Sequence, residues 1–305
     1  MSARPSVLVI GKTGQVARAI SRLEPASSHN YICLGRPQLD LCNPDTLKSA
    51  FKDIKPSLVI NAAAYTAVDR AEKEEELAYQ INAEGPASLA ALCVEHDAPL
   101  IHLSTDYVFN GDATQPYESN DPTDPKSVYG TTKEAGESAI RKISKKHIIL
   151  RTAWVYSEDG TNFVNTMLRL GTERDQLSIV DDQTGSPTYA EDIAIALHQI
   201  VKQILKKPND VSWGTYHVTN RGVTTWFGFA EEIFRQVSQS GAKAPTLIPI
   251  TTQDYPTPAR RPKYSVLDLS AIRDEFGIEL PLWQDSLKRC LNTRLKRRQT
   301  SMKDS

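Results

Sequence analysis

The sequence predicts an α/β protein in which a doubly wound parallel sheet is accompanied by a smaller C-terminal lobe. Short apolar runs without polar alternation recur along the first half of the chain, a pattern typical of strands that are buried on both faces. Segments of helical period separate these runs, and this alternation gives right-handed strand–helix–strand crossovers. A turn that contains two glycines joins the first run to the first helix.

The same pattern places each element along the chain. Strands are predicted at 7–10, 31–34, 58–60, 100–103 and 147–150, and helices at 14–23, 44–54, 66–83, 85–96 and 129–142. After Val155 the pattern loosens, and the predicted helices lie near 161–171, 189–205, 225–239 and 283–297. We therefore predict a domain over 1–155, a lobe mainly over 156–297 that returns some segments to the sheet, and a solvated, frayed tail over 298–305.

Composition argues against several classes of protein. The 305 residues include 36 Lys and Arg against 37 Asp and Glu, a net charge of −1, so no basic excess exists to neutralise nucleic acid. No stretch approaches the roughly 18 apolar residues of a membrane helix, and the short N-terminal segment before the first strand leaves no room for a signal peptide. The four cysteines are scattered, which argues against a zinc site or a disulfide framework. We expect a cytoplasmic protein.

The turn after the first strand reads G-K-T-G-Q-V-A over residues 11–17. Here Gly11 and Gly14 allow a tight turn that directs backbone N–H groups and the start of a helix toward a pyrophosphate. Ala17 stands where a third glycine is usual and is small enough for close helix–strand packing. The alternative is a strand-to-helix turn without a ligand. We predict a dinucleotide site in a Rossmann-like domain.

The residues after the second strand bear on the choice of cofactor. Gly35 and Arg36 stand where an NAD site would usually place an acidic residue, and a guanidinium suits the extra phosphate of NADP. We therefore expect NADPH, with NADH as the alternative if Arg36 is only an exposed loop residue. Asp40 and Leu41 resemble a contact to the adenine ring; alternatively they are the polar start and the apolar anchor of the next helix.

Three residues form a candidate catalytic group. Tyr129 and Lys133 lie four residues apart and so share one face of a helix. An ammonium favours a phenolate, so we expect Lys133 to lower the pKa of Tyr129 from about 10 toward the working range. Thr105, at the end of the fourth strand, would hold a substrate carbonyl while Tyr129 supplies the proton and a nicotinamide supplies hydride. A Tyr–Lys pair alone occurs by chance in many helices, but this ordered set indicates catalysis.

These motifs resemble the extended short-chain dehydrogenase/reductase superfamily and, more closely, the dTDP-4-dehydrorhamnose reductases. The matching segments are G-K-T-G-Q-V at 11–16, N-A-A-A-Y-T-A-V-D-R-A-E at 61–72, S-T-D-Y-V-F at 104–109, Y-G-T-T-K at 129–133, R-T-A-W-V-Y at 151–156, N-F-V-N-T-M-L-R-L at 162–170, D-Q-T-G-S-P-T at 182–188 and Y-P-T-P-A-R-R-P at 255–262. The resemblance covers about residues 6 to 295. Its late motifs separate these reductases from epimerases and dehydratases that share the front half.

The resemblance implies a cofactor site with particular residues. Besides Gly11, Arg36, Asp40 and Leu41, the implied cofactor contacts are Gly14, Gln15 and Val16 at the pyrophosphate and Ala63, Ala64, Tyr65 and Thr66 near the nicotinamide. Tyr129 would be the proton donor, and Lys133 would also hold the nicotinamide ribose.

It also implies a site for a sugar nucleotide. The implied contacts are Thr105, Asp106 and Trp154 at the sugar nucleotide, Gln183, Gly185 and Thr188 along the nucleotide pocket, and Arg260 with Arg261 at the diphosphate. Trp154 could instead be a core aromatic residue, and either arginine could be a structural residue in a proline-braced loop.

One departure from the family concerns metal. Some members form a dimer bridged by a metal that glutamates bind, but Ala19 and Thr293 replace two of those acidic positions and only Glu191 remains. We therefore predict no metal site and a monomer or weak dimer.

The resemblance implies reduction of the C4 keto group of dTDP-4-dehydro-β-L-rhamnose to dTDP-L-rhamnose. Two alternatives stay open: a reductase of another nucleotide-linked 4-keto sugar, and a non-catalytic, dinucleotide-binding regulatory subunit similar to methionine adenosyltransferase β.

Overall fold

The strands in the described part of the chain pair into one large sheet and three small ones. Its computed structural model describes residues 4–23, 28–239 and 243–301. The strands are β1 (Ser6–Ile10), β2 (Asn30–Leu34), β3 (Leu58–Asn61), β4 (Leu100–Thr105), β5 (His147–Thr152), β6 (Val155–Tyr156), β7 (Gln176–Val180), β8 (Thr184–Gly185), β9 (Thr188–Tyr189), β10 (Gly214–His217), β11 (Thr224–Thr225) and β12 (Thr246–Ile250). The large sheet is parallel, in the order β2-β1-β3-β4-β5-β10, and the small sheets pair β6 with β9, β7 with β12 and β8 with β11.

Helices cover both faces of the large sheet. They are α1 (Gln15–Leu23), α2 (Pro44–Ile54), α3 (Val68–Ala71), α4 (Glu75–Tyr79), α5 (Gly85–Glu95), α6 (Val128–Ile143), α7 (Phe163–Glu173), α8 (Ala190–Lys206), α9 (Trp226–Ser238), α10 (Ser270–Phe276) and α11 (Trp283–Ser301). A π-helical segment, Gln80–Glu84, joins α4 to α5, and 3₁₀ turns span Asp106–Val108 and Thr252–Asp254. None of the helices within the described ranges is long and apolar enough to cross a membrane.

The large sheet is buried on both sides, which explains its continuous apolar strands. Alternate residues of a strand face opposite ways, so Val7 and Val9 join a core with α1 and α8. Leu8 and Ile10 join a second core with α2 and α5 on the other face. The order of the strands reverses at β1, because β2 lies on one side of it and β3 on the other. The turn after β1 therefore lies at a topological switch point, where doubly wound sheets bind ligands.

A separate apolar core stabilises the C-terminal lobe. Buried aromatic residues of β6, β9, α9 and α11 pack together there, among them Tyr156, Tyr189, Phe229 and Trp283. Three segments after Val155 return to the large sheet instead: β10 pairs with β5, α8 packs on α1, and α10 packs on β10 in the same core. The predicted α/β class, with a doubly wound sheet and a smaller C-terminal part, is confirmed.

Two sequence expectations are wrong in detail. The single helix predicted over 66–83 is broken into α3, α4 and the π-helical segment, because side chains in this region bond to other elements. The Glu72 carboxylate, for example, accepts the backbone N–H of Val128 at 2.9 Å. The tail predicted to fray over 298–305 is helical through Ser301, and residues 302–305 lie outside the described part of the chain.

Candidate active site

The turn after β1 is shaped by its first glycine. Gly11 has a φ of 115°, and a Cβ atom on it would lie 3.2 Å from the backbone carbon of Ala62, just after β3. Glycine adopts this conformation without steric cost and leaves room for the close approach. The first turn of α1 contains no acidic side chain, so no carboxylate competes for its free N–H groups. These features fit a pyrophosphate.

The side chains of Gln15 and Val16 are engaged within the protein. Gln15 Oε1 accepts from Ser157 Oγ and Asn162 Nδ2, both at 2.9 Å. Val16 is buried in the core beneath the sheet. A cofactor would therefore meet only the backbone of these two residues, while Gln15 ties the turn to the segment after β6.

Of the three residues predicted after β2, Arg36 is exposed, whereas Asp40 and Leu41 are engaged within the protein. Arg36 is exposed and makes no hydrogen bond or ion pair with the described part of the chain. Asp40 Oδ1 accepts the backbone N–H of Cys42 at 3.0 Å, and Leu41 is buried between the sheet and α2. Asp40 and Leu41 thus match the alternative interpretation, a polar start and an apolar anchor before α2.

The segment after β3 is held by a buried tyrosine. Tyr65 donates its hydroxyl proton to Glu74 Oε2 at 2.6 Å and accepts from Arg70 Nε at 3.0 Å. Its neighbours Ala63 and Ala64 are half-buried and Thr66 is exposed. Tyr65 therefore fixes this segment, and its phenol is not free to contact a ligand.

The end of β4 carries a buried hydroxyl beside a buried acid. Thr105 Oγ1 donates to Asp106 Oδ1 at 2.9 Å and accepts the backbone N–H of Tyr107 at 3.2 Å. Asp106 is 2% exposed, and its Oδ2 has no hydrogen-bond partner among the described residues. Burial raises the pKa of Asp106 to about 6, although the hydroxyls of Thr105 and Ser265 and the backbone N–H groups of the 3₁₀ turn oppose this. An unpaired buried carboxylate oxygen next to Thr105 suits a ligand hydroxyl.

Helix α6 brings Tyr129 to the same place. Ser127 caps the helix, its Oγ accepting the N–H of Gly130 at 3.1 Å. A Cβ atom on Gly130 would lie 2.2 Å from the carbonyl oxygen of Tyr107, so only glycine allows α6 to approach so closely. The rings of Tyr129 and Tyr107 meet edge to face with centroids 5.4 Å apart.

The protonation of Tyr129 differs from the sequence expectation. Burial raises the pKa of Tyr129 above its ordinary value, and the neighbouring Thr105 hydroxyl opposes this only in part. The expected lowering of this pKa by Lys133 is wrong, because burial dominates and the Lys133 ammonium turns toward β4. Its Nζ donates to the carbonyl oxygen of Leu103 at 2.7 Å and lies 3.1 Å from His102 Nε2.

Trp154 belongs to a stack of aromatic rings at the lobe. Its indole lies parallel to Trp226 at 3.6 Å, and a Cβ atom on Gly185 would come within 2.5 Å of it. Gln183 Oε1 accepts from Trp226 Nε1 at 3.1 Å, and its Nε2 donates to Thr252 Oγ1 at 3.1 Å. The Gln183 amide thus donates one hydrogen bond and accepts one within the lobe, and Gly185 leaves the space that the indole occupies. Their predicted roles in the nucleotide pocket stay predictions. Thr188 is also fully buried.

The two arginines near the C-terminal motif differ sharply. Arg261 pairs with Asp69 at 2.7 Å and donates to the hydroxyl of Tyr107 at 3.0 Å. Arg260 is exposed and lies 3.7 Å from Asp112, and its charge also acts on Asp124. Arg260 is thus available for a diphosphate, whereas Arg261 holds its segment against α3 and the 3₁₀ turn.

The chain is similar to known proteins over almost its whole length. A family model described as the RmlD substrate binding domain matches residues 5–296. The dTDP-4-dehydrorhamnose reductase of Escherichia coli strain K12 is 42% identical over 294 residues, which are 94% of this chain and 97% of that protein. The chain belongs to the dTDP-4-dehydrorhamnose reductase family.

Solved structures of dTDP-4-dehydrorhamnose reductases share the fold. That from Bacillus anthracis, in complex with NADP, gives a TM-score of 0.88 at 36% identity and covers 95% of this chain and 99% of that chain. That from Clostridium acetobutylicum gives 0.86 at 38% identity, with 94% and 99% covered. The resemblance expected from the motifs is confirmed.

Sequence reasoning missed a buried polar network behind Lys133. His102, Asn61, Glu137 and Arg151 are all 2% exposed or less. Arg151 donates to Glu137 through two nitrogens, at 3.0 and 2.7 Å. The available signal for this network was a histidine, His102, inside the apolar run of β4. Within the described residues, no group of three or more His, Cys, Asp or Glu could hold a metal ion.

Proposed function

We propose that this protein reduces the C4 keto group of dTDP-4-dehydro-β-L-rhamnose with NADPH, giving dTDP-L-rhamnose. The observation that carries the proposal is the meeting of Thr105 and Tyr129 at the carboxyl edge of the sheet, with Lys133 one turn along the helix. Family membership at 42% identity to the Escherichia coli reductase supports the same substrate class.

The cofactor proposal depends on the turn after β1 and on Arg36. The space left by Gly11 and the unopposed N–H groups of α1 would hold the pyrophosphate. The free guanidinium of Arg36 would pair with the 2′-phosphate, which favours NADPH over NADH. When bound, the cofactor supplies the hydride that C4 receives.

Tyr129 would supply the proton. Its raised pKa keeps the phenol protonated at neutral pH, which is the form that a proton donor needs. The Thr105 hydroxyl would hold the C4 oxygen beside the phenol, and Tyr129 would give its proton to that oxygen as the C–H bond forms. The phenolate that remains must regain a proton before the next turnover.

The sugar nucleotide would lie between Asp106, Trp154 and Arg260. Asp106 offers an unpaired oxygen to a sugar hydroxyl, and Arg260 offers an exposed cation to the diphosphate. Ala19 and Thr293 supply no carboxylate for a bridging metal, so we propose a monomer or weak dimer.

Isotope transfer tests this function. The protein is incubated with enzymatically prepared dTDP-4-dehydro-β-L-rhamnose and NADPH carrying deuterium on the transferable position, and the product is analysed by NMR. The proposal predicts dTDP-L-rhamnose with deuterium at C4. A product epimeric at C4, or deuterium elsewhere, would overturn the assignment.

A further inference from the structure

The amino group of Lys133 is enclosed by the strand beneath it. Lys133 is 2% exposed and His102 is fully buried. Lys133 Nζ donates to the Leu103 carbonyl at 2.7 Å and lies 3.1 Å from His102 Nε2. His102 is therefore in direct contact with the residue that the proposed reaction places beside Tyr129.

Asn61 determines which nitrogen of His102 carries the proton. The backbone N–H of Ala63 can only donate, and its acceptor is Asn61 Oδ1 at 3.1 Å. The Asn61 amide nitrogen, which also can only donate, then faces His102 Nδ1 at 3.0 Å. His102 Nδ1 must accept this hydrogen bond, so in the neutral ring the proton is on Nε2 and points at Lys133.

This arrangement discriminates between the two forms of Lys133. A neutral imidazole has one N–H and one lone pair, and Asn61 occupies the lone pair. An ammonium has only N–H groups, so it meets His102 Nε2–H donor to donor, whereas the neutral amine can accept from it. His102 therefore favours the amine. Burial acts in the same direction and lowers the pKa of Lys133 to about 8.

The charged groups around Lys133 oppose this only in part. Glu137, on the same helix, raises the pKa of Lys133. Its carboxylate is itself paired with Arg151 of β5 and with Arg141 of α6. Burial, followed by the charge of Lys133, lowers the pKa of His102 well below its ordinary value, so the ring stays neutral.

The 3₁₀ turn after β4 presents its two ionisable groups to Tyr129. Asp106 and Tyr107 both raise the pKa of Tyr129. Asp106 and Tyr107 thus affect the pKa of the proton donor itself, whereas His102 affects the protonation of Lys133.

We propose that His102, oriented by Asn61, is a positioning residue that makes Lys133 a ready proton source for Tyr129. This rests on the proposed reduction. After Tyr129 has given its proton to the C4 oxygen, the Lys133 ammonium, which lies one turn along α6, swings from the Leu103 carbonyl to the phenolate and restores the phenol with its proton. The resulting amine accepts a hydrogen bond from His102 Nε2–H until it regains a proton from water. One proton from solvent is consumed in each turnover, and no oxidant or reductant beyond NADPH is needed.

The position of the proton on His102 can be measured without substrate. The full chain, labelled with ¹⁵N in its six histidines, is titrated by NMR between pH 6 and 10, and His102→Gln identifies the signals of His102. We expect a neutral ring with the proton on Nε2 throughout. Asn61→Asp places a carboxylate oxygen opposite Nδ1 and should move the proton there. A wild-type ring protonated on Nδ1, or one unchanged by Asn61→Asp, would overturn the proposal whether or not the protein is a reductase.

The consequence for Lys133 is read from the pH dependence of turnover. In the wild type we expect kcat to fall above about pH 8, as Lys133 loses its proton. Asn61→Asp frees His102 Nε2 to accept a hydrogen bond from the ammonium. The fall of kcat at alkaline pH, the alkaline limb of the profile, should then move up by about one pH unit. The new carboxylate also raises the pKa of Lys133 through space. The effect of Asn61→Asp is therefore measured again in a His102→Phe protein, where only this through-space effect remains. A shift of equal size in both backgrounds would overturn a role for His102.

His102→Gln gives a second reading if Asn61→Asp does not fold. Its side-chain carbonyl can accept a hydrogen bond from the ammonium, so the alkaline limb of the kcat profile should again move to higher pH. An unshifted limb in a folded His102→Gln protein would contradict the proposal.

Discussion

Trp226 lies flat against Trp154, with ring centroids 3.6 Å apart and planes within 7° of parallel. Trp154 has a φ of 48°, in the left-handed region that large side chains rarely adopt. The edge of its indole packs on Gly185, where no larger residue would fit. The stack thus holds Trp154 in one uncommon conformation at the proposed sugar site.

Loss of the stack should weaken substrate binding more than chemistry. An aromatic pair contributes about 0.5–1.5 kcal/mol, so Trp226→Leu should raise KM for the keto sugar by about three- to tenfold with kcat changed less. Trp226→Phe keeps a stacking partner and serves as the matched control. Steady-state kinetics at saturating NADPH measures both. A Trp226→Leu protein with wild-type KM would contradict the proposed role of Trp154.

Arg36 should determine the choice of cofactor. A charge-assisted hydrogen bond contributes about 1.5–3 kcal/mol, so Arg36→Ala should weaken NADPH binding by about ten- to a hundredfold and leave NADH binding unchanged. Arg36→Lys keeps the charge and should lose less. Titration of cofactor fluorescence gives both affinities. Parallel losses for NADPH and NADH would show that Arg36 does not contact the 2′-phosphate.

Asp106 should destabilise the fold at neutral pH. Burial raises its pKa from 3.8 to about 6, so the folded protein binds this proton more readily than the unfolded chain does. The cost of the charge is therefore present above about pH 6 and disappears as pH falls below the unfolded value. We expect Asp106→Asn to raise the free energy of unfolding by about 1–3 kcal/mol at pH 7.5 and to raise KM.

Urea unfolding at pH 7.5 and at pH 4 tests this expectation. The gain from Asp106→Asn should shrink at the lower pH. Asp112→Asn, in an exposed side chain, is the control and should change stability little. A gain that does not vary with pH would rule out the charge as its cause.

The buried pair of Glu137 and Arg151 should be essential to stability. Their side chains are 0% and 3% exposed, with 2.7 Å between the paired atoms. Glu137→Gln leaves a buried guanidinium without its counter-charge, which costs about 3–5 kcal/mol. Arg141 contacts the same carboxylate from a side chain that is 36% exposed, so Arg141→Gln should cost less than about 1 kcal/mol. Equal losses in urea unfolding would contradict this distinction.

Strands and strand-end motifs could be predicted because their signals are local. Residues of β1 face apolar cores on both sides, so the strand contains no polar alternation. The carboxyl ends of parallel strands share one edge, which brings Thr105 near the turn that contains Gly11. The i, i+4 spacing of Tyr129 and Lys133 likewise predicted that the two residues share one face of α6.

What could not be predicted depends on contacts between distant segments. The short edge strand β10 is only half-buried along its length and carries little apolar signal. Glu72 bonds to a residue 56 positions away, and periodicity gives no sign of such a contact. The direction in which Lys133 points depends on its contacts with Leu103 and His102 in β4. The raised pKa of Tyr129 comes from its burial in the folded protein.

Turnover by Tyr129→Phe tests the central claim most directly. Loss of NADPH absorbance is followed with dTDP-4-dehydro-β-L-rhamnose for the wild type and the variant, and NADPH affinity is measured for both. We expect wild-type turnover, and a loss of about 10²–10⁴-fold in the variant with cofactor affinity within a few fold. A variant that turns over like the wild type would contradict Tyr129 as the proton donor. A wild-type protein that binds NADPH but leaves this sugar unreduced would contradict the proposed reaction, and would point to another keto sugar or to a regulatory subunit.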